Sequence, residues 1–361
     1  MIRLAKPSIP EVAINNVREI FKSGDLVQGK YVKEFETALQ KYLNTSNSII
    51  VSSGTAALHL CLMALGIKEG DEVIVPAFTF PATANVIEIV GAVPVLVDIS
   101  FNDYCLNVSR IISKITDKTK AIIPVHEFGQ SADIEPIMQI ARKYNLMIIE
   151  DAACALGTEY NGKKAGTFGN VGCYSFHPRK AITTGEGGLI VTDDRIIADK
   201  VRALRNHGIS DTNDFTYAGL NYRMTDFQAA IGLAQMDNIE KAIENRIEMA
   251  HSYDKLLENC DYIRTPDILP IRRNIYQTYH ILLDEIIDRD KLIVNLRDNG
   301  VQTNFGAHAL HCLTYFREKY GYEDIDFPIS KQAYKNGLAL PLGDHLKNED
   351  IKFIVEKLKM I

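Results

Sequence analysis

The stretch SIIVSSGTAALHLCLMAL, residues 48–65, decides the fold class. A β-branched run, SIIVS, is followed after a few small residues by a longer apolar run, which is the pattern of a strand that leads into a helix. The same pattern returns at EVIVP (72–76), VPVLVDI (93–99), AIIPV (121–125) and LMIIED (146–151). Strands that alternate with helices predict a mainly parallel sheet covered by helices on both faces, an α/β domain.

The rest of the chain predicts a second, smaller unit. Residues 225–258 form one long stretch with helical periodicity, and residues 260–361 mix short strand-like runs with helices. We therefore predict a large α/β domain at residues 1–245, which includes the N-terminal helices, and a smaller α+β domain at residues 246–361. Right-handed crossovers bring the carboxyl ends of the strands to one edge of the large domain, where α/β sheets bind ligands.

The composition favours a small-molecule partner. The 361 residues carry a formal net charge of −6, and their acidic and basic residues are interspersed, so no face for nucleic acid or for an anionic membrane is indicated. The six cysteines stand singly, without the spacing of a zinc site or a disulfide framework. The N-terminus lacks the apolar segment of a signal peptide, and no apolar run is long enough to cross a bilayer, so we expect a cytoplasmic protein.

The segment SSGTA, residues 52–56, follows the first predicted strand and opens a helix. Small residues there let backbone N–H groups face an anion, so Gly54, Thr55 and Ala56 are candidates for holding a phosphate. A serine or threonine at this place is also the usual N-cap of a helix. The segment alone therefore leaves a phosphate site and a simple cap as alternatives.

Two acidic residues, Glu150 and Asp151, end the very apolar strand LMIIED. A carboxylate that emerges from such a strand is costly to bury without a partner, which a protonated ring nitrogen, a metal or an arginine would provide. The alternative is that the aspartate only caps the segment AACAL that follows.

Lys180 lies in the link YSFHPRKAITTGEGG, residues 174–188, between two strand-like runs. A lysine in a confined, partly desolvated turn can supply the neutral amine that attacks carbonyl groups to form Schiff bases. An ordinary surface lysine is the alternative. The glycines of the link weaken that alternative, because they indicate a tight backbone path that aims the side chain: Gly185, Gly187 and Gly188.

A phosphate cradle, a strand-end aspartate and a Schiff-base lysine are together the parts of a pyridoxal phosphate site. In such a site the aspartate keeps the pyridine nitrogen protonated, so that the ring can take up carbanion electrons, and the lysine holds the aldehyde. Ser175 lies on the same turn as the lysine and offers a hydroxyl to the same phosphate. The phosphate cradle, the aspartate and the lysine together are far more specific than any one of them. They predict an enzyme that uses pyridoxal 5'-phosphate.

With these parts in place, the sequence resembles the sugar-nucleotide aminotransferases of the DegT/DnrJ/EryC1/StrS family, a branch of the fold-type I pyridoxal phosphate enzymes. The matching motifs run along nearly the whole chain and are QGKYVKEFE (28–36), SSGTAALHL (52–60), GDEVIVPAFTFPATANV (70–86), IIPVHEFGQSADI (122–134), IIEDAACALG (148–157), GTFGNVGCYSFHPRKAITTGEGG (166–188), RNHG (205–208) and GLNYRMTDFQAAIGLAQ (219–235). The resemblance implies a large cofactor-binding domain like that of aspartate aminotransferase and a smaller C-terminal α+β domain.

The resemblance also implies roles for single residues. Lys180 forms the internal aldimine with pyridoxal phosphate and later moves the proton between the substrate carbon and the cofactor carbon. Asp151 pairs with the pyridine nitrogen, and Phe80 lies against the cofactor face, although a phenylalanine here would otherwise be taken for a core residue. The phosphate is held by Thr55, Ala56 and Ser175.

One position departs from the family pattern. Where relatives commonly carry glutamine or histidine three residues after the aspartate, this chain has Cys154, and a thiol is a weaker hydrogen-bond partner for the ring hydroxyl of the cofactor. The retained Lys180 argues against the dehydratase branch of the family, where histidine replaces it. Asn221 and Arg223 fall in the segment that reaches into the neighbouring subunit's site, so the implied active unit is a homodimer.

The substrate side of the site is expected to involve histidines. His308 and His311, in GAHALHC, lie near a family position close to the sugar nucleotide. With Cys312 they also suggest a metal, but no second cluster of ligands follows in the sequence, so we expect no metal and read them as substrate contacts. Four residues that flank the motifs are further candidates for substrate contacts: His126, His177, Arg179 and Glu186.

The expected reaction is a ping-pong transamination of a nucleotide-linked keto-deoxysugar, in amino-sugar or surface polysaccharide biosynthesis. Glutamate is the expected amino donor, and carbon 4 of the sugar is preferred over carbon 3. A keto-cyclitol aminotransferase would use the same residues on an acceptor without a nucleotide. A regulatory protein that binds pyridoxal phosphate without turnover is the alternative from another class, and the retained Lys180 counts against it.

Overall fold

A computed structural model describes residues 1–267 and 269–359. The helices are α1 (Glu11–Ser23), α2 (Lys30–Leu43), α3 (Gly54–Ala64), α4 (Ala82–Ile89), α5 (Val108–Ile111), α6 (Ile134–Tyr144), α7 (Arg195–Arg205), α8 (Asp226–Met236), α9 (Ile239–Leu257), α10 (Arg289–Asp298), α11 (Thr314–Tyr320), α12 (Pro328–Asn336) and α13 (Asn348–Leu358). The strands are β1 (Asn47–Val51), β2 (Glu72–Pro76), β3 (Phe78–Thr79), β4 (Val93–Val97), β5 (Thr119–Ile122), β6 (Met147–Asp151), β7 (Glu159–Tyr160), β8 (Lys163–Lys164), β9 (Val171–Ser175), β10 (Gly188–Thr192), β11 (Ile263–Arg264), β12 (Arg272–Arg273), β13 (Tyr279–Leu283), β14 (His308–Ala309) and β15 (Gly337–Leu340).

The central sheet has the strand order β1-β10-β9-β6-β5-β2-β4. Neighbouring strands from β4 to β9 pair in parallel, whereas β10 is antiparallel to both β9 and β1. Isoleucine and valine dominate these strands because both faces of the sheet are covered, as β1 illustrates with burial from Ser48 to Val51. The predicted α/β fold with a mainly parallel sheet is confirmed.

Helices cover the two faces of the sheet through separate hydrophobic clusters. Ile49 and Val51 of β1 belong to the cluster under α3, α4 and α7, and Ile50 between them belongs to the cluster under α2 and α8. This division follows from the alternation of side chains along a strand. On α2 the apolar residues recur at helical spacing and form one buried face: Val32, Phe35, Leu39 and Leu43.

The C-terminal part of the chain builds a second, antiparallel sheet with the order β11-β13-β15. Helices α9, α10 and α13 pack on it through a cluster that includes Tyr253, Leu296 and Ile354. The domain boundary at residue 245 stays a prediction. Helix α9 runs across residue 245. The start of the chain also contacts the C-terminal part, because the N–H of Ile2 donates to the carbonyl of Gly300 at 2.7 Å.

One local prediction differs from the structure. The stretch 225–258 is two helices, α8 and α9, which are separated at Asp237 and Asn238. Both residues have side chains that compete for backbone hydrogen bonds and disfavour a helix interior, a signal that the apolar periodicity hides.

Among the described helices, none has the length and apolar character that crossing a membrane requires.

Gly232→Ala tests the close packing of α8 on α2. A Cβ on Gly232 would lie 2.5 Å from ring atoms of Phe35 and 2.8 Å from Cγ2 of Thr184. Alanine favours a helix interior by about 1 kcal/mol over glycine, so a loosely packed site would be stabilised. We expect instead a loss of about 1–3 kcal/mol in the free energy of unfolding, because the added carbon overpacks the contact.

Chemical denaturation measures this change. The double variant Gly232→Ala, Phe35→Leu removes the ring atoms that meet the new carbon, so it should lose less than the sum of the two single variants. A Gly232→Ala protein that is more stable than the wild type would contradict the packing described here.

Candidate active site

Segments that carry the predicted site residues meet at one edge of the central sheet. Gly188, the first residue of β10, pairs with Val51 at the end of β1 and with Ser175 at the end of β9. Asp151 ends β6, the strand next to β9. The start of α3 and the lysine-bearing link therefore leave the sheet side by side.

The start of α3 lies directly against Ser175. The Ser53 hydroxyl caps the helix by accepting a hydrogen bond from the N–H of Ala56 at 3.0 Å. A Cβ on Gly54 would lie 2.9 Å from Cβ of Ser175, so the close approach requires glycine. Thr55 is exposed at this end. The segment is thus both a capped helix and a helix N-terminus beside a hydroxyl, a cradle suited to an anion.

Asp151 is a buried carboxyl with neutral hydrogen-bond donors. Its Oδ2 accepts from the hydroxyl of Thr83 at 2.8 Å, and its Oδ1 accepts from the N–H of Ala153 at 3.1 Å. Burial raises the pKa of Asp151, while these two hydrogen bonds and the positive charge of Lys180 oppose the rise. A further cation against this carboxyl would offset its burial, and a protonated pyridine nitrogen is such a cation.

Glu150, the neighbouring residue on the strand, has a structural environment. Its carboxylate accepts hydrogen bonds at 2.6–2.8 Å from three backbone N–H groups, those of Gly166, Phe168 and Gly169. It also lies 3.0 Å from Nε2 of His126, whose Nδ1 accepts from the N–H of Ala132 at 3.1 Å. The ring proton is therefore on Nε2 and is donated to Glu150.

The pairing of His126 with Glu150 contradicts one expectation from the sequence. His126 is not a substrate contact, because its ring is fully buried and both of its nitrogens are bonded within the chain. The sequence signal that could have indicated the pair is the acid at the end of an apolar strand, which needs a partner. Nothing in the local pattern identified a histidine 24 residues away as that partner.

The link that carries Lys180 is fixed by an amide clamp. Gln235 of α8 accepts from the N–H of Thr183 at 3.1 Å and donates to the carbonyl of Thr183 at 2.6 Å. Inside the link, the N–H of Lys180 donates to the carbonyl of His177 at 2.9 Å and forms a turn. Sequence reasoning missed Gln235, since its partner lies 52 residues away and an amide on a helix has no distinctive pattern.

Cys154 is in direct contact with the lysine. Nζ of Lys180 lies 2.9 Å from Sγ of Cys154 and donates to it. Burial raises the pKa of Cys154, although the positive charge of Lys180 opposes that rise. The thiol three residues after Asp151 therefore holds the lysine side chain close to the segment that carries the buried carboxyl.

Phe80 stands at the open side of this edge. Its ring is 67% exposed, which excludes the alternative of a core phenylalanine in this chain. The ring centroid lies 6.3 Å from that of His308, because β14 pairs with β3 and sets His308 opposite Thr79. Burial lowers the pKa of His308. A strand pairing across more than two hundred residues thus brings the C-terminal part of the chain to the site.

His311 does not share this open surface. Its ring is fully buried and stacks on that of Phe327 at 4.8 Å between centroids, and burial lowers its pKa to about 4. Candidate metal-ligand atoms of His311, Cys312 and Asp324 lie within 4.8 Å of one another. The Asp324 carboxylate is already paired with Lys331, so its charge has a partner within the chain.

The remaining candidates lie on two surface segments. Nδ1 of His177 accepts from the N–H of Arg179 at 3.3 Å in the lysine link, and both side chains are partly exposed. Asn221 is exposed and forms a β-bridge with Asn206. Arg223 donates a hydrogen bond to the side chain of the same Asn206.

The donor set fits pyridoxal phosphate. The helix start beside Ser175 suits the phosphate, the buried carboxyl of Asp151 suits the protonated ring nitrogen, and the amine of Lys180 suits the aldehyde. An α/β fold with this site defines a class, the fold-type I aminotransferases that depend on pyridoxal phosphate.

The chain belongs to the DegT/DnrJ/EryC1/StrS aminotransferase family, whose sequence model matches residues 7–359. It is 39% identical to an uncharacterized protein of Methanocaldococcus jannaschii, over 99% of this chain and 96% of that protein. It is 37% identical to the GDP-perosamine synthase of Caulobacter vibrioides, over 92% and 90% of the two chains. It is 33% identical to the spore coat polysaccharide biosynthesis protein SpsC of Bacillus subtilis, over 98% and 95%.

Solved structures agree in fold. The aminotransferase TlmJ from Streptoalloteichus hindustanus superposes with a TM-score of 0.94 at 30% identity, over 100% of this chain and 98% of that one. The pyridoxal phosphate form of Spr1654 from Streptococcus pneumoniae gives a TM-score of 0.93 at 29% identity, over 99% of this chain and 98% of that one. This protein is therefore a pyridoxal phosphate-dependent aminotransferase of a sugar aminotransferase family, as the resemblance predicted.

Gln235→Ala tests the clamp on the lysine link. The variant removes both hydrogen bonds to Thr183, and each such bond contributes about 0.5–1.5 kcal/mol. We expect the affinity for pyridoxal phosphate to fall roughly tenfold, because the lysine is no longer held in one position. An absorbance titration of the cofactor-free protein measures the affinity.

Gln40→Ala is the matched control for this experiment. It removes another glutamine-to-carbonyl bond, to Ser46 at 2.9 Å, at an exposed site on α2. Cofactor affinity should be unchanged in that variant. An equally unchanged affinity in Gln235→Ala would mean that the link is held without the clamp.

Proposed function

We propose that this protein transfers an amino group to the keto carbon of a nucleotide-linked keto-deoxysugar, with glutamate as the donor and carbon 4 preferred over carbon 3. The observation that carries the proposal is the contact of Lys180 with Cys154, 2.9 Å, at the sheet edge where Asp151 ends its strand. The relatives named for perosamine and for coat polysaccharide biosynthesis support a sugar acceptor.

Lys180 is the catalytic residue of this proposal. Its ε-amino group would hold the cofactor covalently and, once released, would take a proton from the α-carbon of the donor. In the second half of the reaction the same amine returns a proton to the sugar carbon that receives nitrogen. When bound, pyridoxal phosphate supplies the electron sink that stabilises the carbanion formed at these carbons.

The other cofactor contacts of this proposal are assigned to residues at the same edge of the sheet. With pyridoxal phosphate bound, the carboxyl of Asp151 would keep the ring nitrogen protonated, and the Phe80 ring would lie against the cofactor. The contact of Cys154 with the ring hydroxyl is weaker than the one an amide or imidazole gives. The phosphate would be held by the start of α3, which lies against Ser175, through four residues: Gly54, Thr55, Ala56 and Ser175.

Substrate contacts are assigned to the residues around the open side. His308, whose ring lies beside that of Phe80, is the proposed contact to the sugar. His177 and Arg179 lie on the lysine link, where an arginine suits the phosphates of a nucleotide. His311 drops out of this set, since its ring is fully buried. A keto-cyclitol acceptor, which has no phosphates, would leave Arg179 without that role.

The proposed active unit is a homodimer with shared sites. Asn221 and Arg223 lie on one surface segment that Asn206 orders. In this arrangement their polar side chains complete the cofactor site of the second subunit, next to its phosphate. A guanidinium there adds positive charge where the cofactor carries negative charge.

Lys180→Ala and Lys180→Arg test the role of the lysine. Alanine lacks the amine, and arginine keeps the charge but cannot form a Schiff base, so both variants should lose the absorbance band of lysine-bound cofactor and at least about 1000-fold of the rate. Spectra are recorded before and after glutamate and then with a panel of nucleotide-linked keto sugars, including 4-keto and 3-keto isomers. The sugar that restores the original band is the acceptor.

Two results of this experiment would contradict the proposal. Amino-sugar formation at the wild-type rate in Lys180→Ala would mean that the lysine is not the base. A wild-type band that neither glutamate nor any keto sugar changes would favour a protein that binds the cofactor without turnover.

Mixed dimers test the shared site. Lys180→Ala and Arg223→Ala are each expected to be inactive as homodimers. When the two chains are refolded or co-expressed together, half of the dimers are mixed and one of their two sites is intact, so about 25% of the wild-type activity should return. No recovery in dimers proven to be mixed would place Lys180 and Arg223 in the same subunit's site.

A further inference from the structure

The peptide unit that leads into Lys180 is hydrogen-bonded on both sides. Its N–H, which belongs to Lys180, donates to the carbonyl of His177 at 2.9 Å inside the link. Its carbonyl, which belongs to Arg179, accepts from Nε2 of Gln277 at 2.8 Å. The first bond is local, whereas the second comes from a residue 98 positions further along the chain. The orientation of this peptide plane therefore depends on a side chain outside the link.

The amide of Gln277 is itself fixed in one orientation. Its Oε1 accepts from the hydroxyl of Thr278 at 3.1 Å, so the NH2 group is the end that faces Arg179. The side chain is 8% exposed, and little water reaches it to compete for either bond. A half-turn of the amide would set its oxygen against the carbonyl of Arg179, with no proton between the two acceptors.

The backbone around Gln277 is held by the short turn that follows β5. The N–H of Ile275 donates to the carbonyl of Gly129 at 3.2 Å, and the N–H of Thr278 donates to the carbonyl of Phe128 at 3.3 Å. A Cβ on Gly129 would lie 2.8 Å from the nitrogen of Gln277, so the close approach of the two segments requires glycine. Since β5 pairs with β6 in the central sheet, the amide is anchored to the large sheet itself.

Backbone strain marks both sides of this contact. Phe128 has φ of 56° and Tyr276 has φ of 47°, values that are rare for bulky side chains. The Phe128 ring stacks on that of His280 with 4.4 Å between centroids, and the N–H of Tyr276 donates to the side chain of Asn274 at 2.8 Å. Such conformations persist where the surrounding structure fixes them, so the position of Gln277 is set by tertiary contacts and not by local preference.

We propose that Gln277 is a positioning residue for the transamination. It holds the peptide unit before Lys180 and so sets the direction in which the lysine side chain leaves the backbone. At the other end of that side chain, Nζ lies 2.9 Å from Sγ of Cys154. The inference rests on the proposed function, in which the lysine amine takes a proton from the α-carbon of the donor. Gln277 acts on this step through the backbone of the link.

The two tasks of Lys180 differ in how strictly they depend on its position. Covalent attachment of the cofactor tolerates a small change of direction, because the four-carbon chain of lysine is flexible. Proton transfer is stricter, since a displacement of about 1 Å can cost roughly 100-fold in rate. Without Gln277, both bonds from Gln235 to Thr183 stay in place, so the link keeps its path. Loss of the Gln277 bond should therefore slow proton transfer more than it weakens cofactor binding.

Gln277→Met tests the inference in the holoenzyme. Methionine has nearly the same length and fills the same space but has no donor, so the bond to Arg179 is lost while the packing is kept. In a single turnover with glutamate, followed by the absorbance of the lysine-bound cofactor, the rate should fall roughly 10- to 100-fold. The Kd for pyridoxal phosphate should change by less than about threefold. With α-deuterated glutamate the isotope effect should be at least as large as in the wild type, because the slowed step is proton transfer.

Asn336→Leu is the matched control. The Asn336 side chain is also buried and also donates to a backbone carbonyl, that of Leu283 at 3.2 Å, but it meets the end of β13 that is remote from Gln277. This variant should have a lower Tm and an unchanged rate and isotope effect. Gln277→Asn is the second test variant if the methionine variant does not fold. It keeps the amide on a side chain one carbon shorter, which does not reach Arg179, so its single turnover should slow in the same way.

Three results would overturn the role of Gln277. The first is a wild-type rate of single turnover in the Gln277 variants. The second is a loss of cofactor affinity as large as the loss of rate, which would indicate a general loosening of the link. The third is an isotope effect smaller than that of the wild type, which would mean that a step other than proton transfer has slowed. A wild type that is itself inert toward glutamate and other amino acids would instead overturn the proposed function.

Discussion

The site depends on one constraint in the central sheet, the antiparallel placement of β10 between β1 and β9. Gly188 pairs with both Val51 and Ser175, so three chain segments are joined where the parallel strands end. The link from Ser175 to Gly188 must therefore turn back within the ligand-binding edge and cannot cross the sheet. Lys180 in that link is therefore confined to this edge. The start of α3, which follows Val51, lies beside the link.

The two buried acids at this edge, Glu150 and Asp151, differ in their hydrogen-bond environments. Glu150 and Asp151 are neighbours on β6 and point to opposite faces, as strand geometry requires. Glu150 is saturated by three backbone N–H groups and His126, so it holds the loop at residues 166–169 and has no capacity left for a ligand. Asp151 has two neutral donors and keeps acceptor capacity on the side of the lysine. The number of donors already in place distinguishes the two acids better than their burial does.

The sequence predicted the features that leave a local pattern in the chain. Period-two and helical spacing predicted the strands of the central sheet and a helix at 134–144, which is α6, because burial of one face leaves a repeat in the chain. The phosphate segment and the lysine link were found since each combines small residues with a strand end. The pairs His126 with Glu150 and Gln235 with Thr183 were missed. Each joins side chains from separate elements, and a local pattern does not show which elements become neighbours.

The acids and the thiol around Lys180 set the electrostatic balance of the site. Asp151, Glu127 and Cys154 all interact with its positive charge, and three ionised groups around one lysine would leave a net negative charge in a buried site. Burial raises the pKa of the thiol and of both carboxyls. Because a buried charge is tolerated only when it is paired, fewer ionised acids at this buried edge bring the negative charge closer to a match with the single positive charge of the lysine.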